Sequence, residues 1–223
     1  MKKTIIEIGL GVVIVALAIF LYSSVMEPVN FDNEFTKRRD ACAEKLKSIR
    51  TLEEAYKTTY HVYTGSFDTL FNRLMNEDSL LIVAKVVNKE AISRDGADSI
   101  FSDLTELEKV KKGYLVLTQT YVNPIKHLRE EGKFTLSDEE IRNLRYVPYP
   151  KGEKLQFKLE AGVRNSNGLT VPVVECSVGL DELMKDCDRQ LVVNKKDEIV
   201  KAGHFAGWKF GSLDEAITDG NFE

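Results

Sequence analysis

The chain has 223 residues, 43% hydrophobic and 30% charged, with a formal net charge of −4. Lys and Arg alternate with acids throughout, so the sequence offers no basic face for a nucleic acid. Setting aside the apolar N-terminal stretch leaves enough chain for one mixed domain, or for a stalk plus one domain, each able to bury a core.

Residues Ile8 to Met26 form one apolar run without Lys, Arg, Asp, Glu, Asn, Gln or Pro. At 1.5 Å per residue, ~20 helical residues reach ~30 Å, the thickness of a bilayer's hydrocarbon core. A helix is the natural spanning form because it satisfies its own backbone where no water can. The run is longer than a secretory h-region and ends in Ser23-Ser24 rather than at an A-x-A-like site, so it reads as a retained anchor. Lys2 and Lys3 precede it and Glu27, Asp32 and Glu34 follow, which points the N-terminus to the cytoplasm. Glu7 stands among Ile5, Ile6 and Ile8, where a carboxylate must snorkel or meet a cation, and a cation on a neighbouring helix is one source. Gly9 with Ala16, and Gly11 with Ala18, are small residues seven apart that would let another helix approach closely.

Pro28 is expected to end or kink this helix, with a restart near Phe31-Asp32-Asn33-Glu34. From Asn33 to Tyr63 the pattern is amphipathic. Cys42, Ile49, Tyr56 and Tyr63 recur every seven residues with Leu46, Leu52 and Tyr60 beside them, and charges, Arg38 and Glu53 among them, take most other positions. The stripe Ile49, Tyr56 and Tyr60 must be covered by the chain's own domain or by a partner. Gly65 suits a helix end, and Ser66 caps a second short helix through Met75.

Further on, Leu80–Val87 reads as a buried strand. Asn88–Lys112 reads as a loop or insertion with helical hints around Asp98–Lys109. A second strand covers Gly113–Val122 and stops at Asn123-Pro124. Ser137-Asp138-Glu139-Glu140 is a capping box opening a short helix, and Arg145–Pro150 is extended. Alternation in Lys154–Val163, a turn at Asn165–Gly168 and a return over Leu169–Val178 make a hairpin. Leu180–Cys187 is a short helix or turn, and Leu191–Val193 and Phe205–Phe210 add strands. Cys176 and Cys187 could pair across their short loop in an oxidising compartment, or fill apolar space as Cys42 would.

No chemistry is spelled out. His61, His127 and His204 lie far apart, with no H-E-x-x-H, phosphate-binding Gly loop or G-x-S-x-G among the motifs. Asp219-Gly220-Asn221 reads as a surface turn rather than a calcium ligand set, and Trp208 and Phe210 as core. No catalytic residue, metal or cofactor is expected.

Thr4-Ile5-Ile6-Glu7 ahead of the long apolar run resembles the start of type IV pilins and pseudopilins. The stalk Leu46–Lys57 and the turn Tyr63–Leu70 are similar to those of pilin-like minor subunits. The resemblance covers the first third of the chain. It implies a membrane helix continuing past a proline into an amphipathic stalk, packed on a small antiparallel sheet. No Gly precedes a Phe or Met at a prepilin cleavage site, and Lys3 stands where processing would occur, which suits a permanently anchored relative. The ending Gly207–Ala216 with Asp219–Glu223 resembles that of single-span envelope proteins of Gram-negative bacteria. The expected organisation is therefore α+β. Residues 1–28 form the cytoplasmic tip and anchor, 29–78 the stalk and short helix, and 79–223 a periplasmic domain. The expected function is a non-enzymatic, structural or assembly subunit in the bacterial inner membrane, within a pilin-like or secretion-like complex. Its partners would be other membrane-anchored subunits, as a homo- or hetero-oligomer, with no nucleic acid. A membrane-tethered module that binds or senses a ligand in the periplasm is the alternative.

Overall fold

A computed structural model describes the backbone over residues 2–97, 100–166 and 168–222, and side chains from Gly9 onward except at Ser166. The chain is α+β, with a long N-terminal helix packed on small antiparallel sheets. Two compact units divide it: Met1–Thr51 with Arg142–Glu223, and Leu52–Ile141. This differs from the expected boundaries at 28/29 and 78/79, because one helix supplies core residues to both units.

Helix α1 runs unbroken from Lys2 to Tyr60 with Pro28 inside it, so the expected break and restart do not occur. Proline costs a helix one hydrogen bond and a ring clash, about 3 kcal/mol, but later turns can still form. Here they are held by burial that begins at Phe31 and continues through Cys42, Leu46 and Ile49. The helix stops at Tyr60 rather than Tyr63. His61 takes the left-handed conformation at φ 62 and donates its N–H to the Lys57 carbonyl at 2.7 Å, a closure usually left to glycine.

In the first unit, β3 (Lys158–Ser166), β4 (Leu169–Gly179) and β5 (Gly207–Ser212) form an antiparallel sheet in the order β3-β4-β5. The β3–β4 hairpin is as expected, with Ser166 opposite Leu169. Gly168 at φ 81 supplies the left-handed residue such a tight turn requires. Phe157, Leu159, Val174, Cys176, Val178, Trp208 and Phe210 fill the core. Two short glycine contacts lock β5 to β4: a Cβ on Gly207 or Gly211 would lie 2.1 Å from the carbonyl oxygen of Val178 or Val174. The expected turn at Asp219–Asn221 lies along the other edge of β5. Asn221 accepts from the Lys209 N–H and donates to the Gly207 carbonyl.

Helix α7 (Leu180–Leu183) follows β4. Leu191–Val193 does not form a strand but lies inside α8 (Arg189–Lys201), capped by the Asp188 carboxylate on the Leu191 N–H. The β-branched pair suggested β structure, yet Leu191, Val192, Lys195, Lys196 and Ile199 fall on one helical face and are the covered positions.

The second unit holds the last turns of α1 and helix α2 (Phe67–Asn76), capped by Ser66 as expected. Beyond them, β1 (Leu80–Val87) and β2 (Leu115–Val122) form a separate antiparallel pair. The one expected sheet is thus two. Between its strands lie α3 (Lys89–Arg94) and α4 (Glu106–Lys111), the latter with a Thr105–Glu108 capping box. Part of the expected helical stretch, Asp98 and Ser99, lies outside the described residues. Asn123-Pro124 ends β2 and also opens α5 (Pro124–Glu130), where proline at N1 is favourable. The Ser137–Glu140 capping box opens α6 (Asp138–Asn143). β1 is largely exposed rather than buried, since only Leu80 and Ile82 are half-covered.

Candidate functional site

From Gly9 to Asn30 every residue but Met26 is exposed. An 18-residue window of this helix has a mean hydropathy of 2.3 and no buried share. Exposed side chains such as Val12, Leu17, Phe20 and Leu21 keep 61–73% of their surface. So long an apolar surface is unfavourable in water and matches a bilayer in length, so this helix is able to cross a membrane.

The small residues do not make one patch. Successive α-helical residues turn by 100°, so Gly9 and Ala16 share a face while Gly11 and Ala18 share a nearly opposite one. A Cβ built on Gly9 or Gly11 would meet nothing within 4 Å, and Ala16 and Ala18 are exposed. Two strips are thus open, either of which could receive a neighbouring helix. The side chain of Glu7 lies outside the described residues.

Where the helix enters the first unit, aromatic and charged contacts replace open surface. Phe35 lies 5.2 Å from Trp208, ring centre to ring centre, and 6.4 Å from Phe31. Trp208 and Phe210 are core side chains, not an exposed platform. One turn on, Arg38 is 5% exposed. Its Nε donates to Glu34 at 2.9 Å, and its Nη1 to the Leu183 carbonyl at 2.7 Å. Nη1 and Nη2 together grip the Asp186 carboxylate at 2.5 and 2.9 Å. The guanidinium also stacks 4.9 Å over Tyr149. Hydrogen bonding to Asp186, then to Glu34, holds Arg38 firmly protonated against the cost of burial. The same contacts hold both carboxyls below their usual range.

Two of the three stalk-stripe residues are buried within the chain. Ile49 is fully buried, Tyr56 is 5% exposed, and Tyr60 stacks 4.5 Å from Tyr56 while its hydroxyl donates to Glu77 at 2.7 Å. Ile49 and Tyr56 are therefore packed inside the chain, while Tyr60 is half-buried. Two residues assigned to the charged face prove buried, Arg38 and Glu53. Both sit at stripe positions, since 31, 35, 38, 42, 46, 49, 53 and 56 follow the three-and-four spacing of one helical face. A charge on an apolar register was the signal that could have found them.

Glu53 has no exposed surface. Its Oε2 accepts the Thr64 N–H at 3.1 Å, while Oε1 has no partner. Burial, opposed only by that one hydrogen bond, pushes its pKa up to about 8. The carboxyl is neutral at pH 7 and ties the end of α1 to the turn leading into α2.

The second unit also carries a cleft of about 430 Å³, lined by Ala55 and Thr58 of α1, Leu80–Val83 of β1, and Pro124, His127, Leu128, Glu131 and Lys133. His127 Nε2 is 3.5 Å from Glu131, which Lys133 also reaches at 2.9 Å. His61 and His204 are exposed and do not line it. Among the described residues no three His, Cys, Asp or Glu side chains are grouped to hold a metal.

Of the two readings left open for Cys176 and Cys187, the disulfide is not formed and all three cysteines are free thiols. Cys176 lies mid-strand in β4, fully buried, whereas Cys187 is half-buried beyond α7 beside Arg38. Burial raises the Cys42 thiol to about 12 and the Cys187 thiol above its ordinary value, which leaves both poor nucleophiles. No protein-family model, curated protein or solved structure matches this chain.

Proposed function

We propose that this chain is a non-enzymatic, single-span inner-membrane protein, a structural or assembly subunit of a pilin-like or secretion-like envelope complex. The N-terminus faces the cytoplasm, as Lys2 and Lys3 ahead of the span favour, and the folded units lie in the periplasm. The observation that carries the reading is the continuity of α1. An apolar helix exposed from Gly9 to Asn30 except at Met26 becomes, without a break, the buried spine that Arg38, Leu46 and Ile49 fix in place. A force or position imposed in the membrane is thereby passed to the folded part through a helix rather than a flexible linker. Recruitment runs through the span: Glu7 meets a cation on a neighbouring subunit, and the Gly11–Ala18 or Gly9–Ala16 strip admits its helix. Two strips on opposite faces suit a subunit with a neighbour on each side.

The test is extraction in mild detergent followed by size measurement of the full chain. A complex larger than one copy, retained by salt-washed membranes and diminished by Glu7→Ala and Gly11→Leu, is expected. A chain released by salt, or a monomer indifferent to both substitutions, refutes the reading. The second reading, a membrane-tethered binding module, has one observation in its favour: the half-apolar cleft beside His127. A ligand there would perturb the His127 imidazole resonances, which assembly through the span would leave unchanged.

A further inference from the structure

No spacer separates the apolar stretch of α1 from the first unit. The apolar run ends at Met26 and burial begins at Phe31. At 1.5 Å per residue these lie about 7.5 Å apart, close to the roughly 5–7 Å depth of one headgroup layer. Phe35 follows about 13 Å beyond Met26. The elements packed against Phe35 are therefore among those nearest the bilayer. Trp208 of β5 is 5.2 Å from the Phe35 ring, and Lys195 Nζ of α8 is 5.3 Å over it. The connection between these two contacts is thus pinned to the membrane end of the unit at both its ends. Direction follows from β5, whose far end lies toward Arg50. There the Gly211 N–H donates to the Asp219 carbonyl, and Arg50 Nη1 donates to the neighbouring Thr218 carbonyl at 3.3 Å. β5 thus runs away from the span, and traced back from Trp208 the chain reaches Gly207, Ala206 and Phe205 on the side of the span.

Every residue from Val200 to Phe205 in this connection is exposed. Val200 keeps 54% of its surface and Phe205 40%. Lys201 and His204 stand between them, and no acid does. Aliphatic and aromatic side chains beside cations suit a bilayer interface, where rings sit among headgroups and ammonium groups meet lipid phosphate. The opposite end of β5 differs: the stretch after Ser212 carries Asp214, Glu215 and Asp219, as an end facing water can. We infer that the end of α8 and the turn into β5, through Val200, Lys201 and Phe205, rest on the headgroup layer of the bilayer that α1 crosses, as a second membrane contact. This rests on the anchored reading of α1 and goes beyond it. Two apolar side chains are too little to hold a free chain on lipid, and the contact forms because the span keeps them at the surface. It sets how the first unit leans on the bilayer and closes this face to protein partners.

The experiment attaches a small fluorophore to His204→Cys in the full-length Cys187→Ser chain. The chain is reconstituted in phosphatidylethanolamine–phosphatidylglycerol vesicles that carry a nitroxide on the lipid headgroup. The reference is Leu169→Cys, exposed at the other end of β4 and about 33 Å along that strand from Gly179, which pairs with Gly207. Quenching about fivefold greater at His204→Cys than at Leu169→Cys is expected. Flotation is read first. A chain that fails to float refutes the anchoring and this contact with it, whereas a floated chain quenched equally at the two positions refutes this contact alone. Val200→Asp combined with Phe205→Asp, both at exposed positions, sets two carboxylates against the headgroups. It is expected to lower quenching at His204→Cys about threefold while flotation and the far-ultraviolet spectrum stay unchanged. Undiminished quenching in that variant would mean that the turn is near the bilayer only because α1 holds it there, and likewise overturns the contact.

Discussion

At the scale of single residues, the two buried charges on α1 behave in opposite ways. Arg38 is satisfied on every side, by Glu34, Asp186 and the Leu183 carbonyl. Arg38→Ala leaves that carbonyl and Asp186 unpartnered and is expected to cost about 2 kcal/mol, reduced from the fully buried case because Asp186 is half exposed; thermal unfolding of the detergent-solubilised chain measures it. Glu53 is satisfied on one oxygen only. Its folded pKa of about 8 lies above the ordinary glutamate value of 4.5, so the folded state holds the extra proton between these values. Its contribution is therefore fully present below about pH 4.5 and is lost as pH rises through 8. The loss is on the order of 5 kcal/mol across that window. Asp186, with a lowered pKa, acts in the other direction: its contribution is present above the ordinary aspartate range and is lost in acid. Urea midpoints followed by circular dichroism should fall from pH 6 to pH 9 in the parent. In Glu53→Gln, which keeps an acceptor for the Thr64 N–H, the fall should vanish; an unchanged slope would contradict the assignment to Glu53.

At the scale of elements, those with strong local signals were legible. The Ser66 and Ser137 caps, the β3–β4 hairpin and β5 all follow from residues within a few positions of one another. The elements misread were those in which two local signals disagreed. Pro28 outweighed the helical pattern on either side of it, whereas burial beyond Phe31 holds the helix through it. Leu191-Val192-Val193 favoured a strand by composition, yet the Asp188 cap and the covered face from Val192 to Ile199 make a helix. β1 has the composition of a buried strand and is exposed, because composition records what a strand could pack against and not whether anything is there. The stalk stripe reads in sequence as one face whose covering is open; Ile49 and Tyr56 on it are buried, Tyr60 is half-buried, and Tyr63 lies beyond the end of α1. Leu46→Ala is therefore expected to destabilise the fold by about 3 kcal/mol, read by urea denaturation. Alanine at exposed Glu44, one face away, should change stability by less than about 0.5 kcal/mol.

At the scale of the whole molecule, the first buried side chain on α1 among the described residues is Phe31, so Gly9–Asn30 contribute no core. A chain starting at Phe31 is expected to leave the membrane fraction, stay in the supernatant on ultracentrifugation and keep the folded far-ultraviolet spectrum. Aggregation or unfolding of that chain would show that the apolar helix supports the fold. The residue order by itself determined the apolar span, the amphipathic helix after it and the hairpin, because hydropathy, helical period and turn chemistry act over a few neighbouring positions. Only the tertiary structure decided that the Leu52–Ile141 segment forms its own compact unit, that Arg38 and Glu53 are interior, and that β2 is left with an open edge. Those depend on which distant segments meet: the partners of Arg38 lie near residue 185, and nothing local to either segment encodes that encounter.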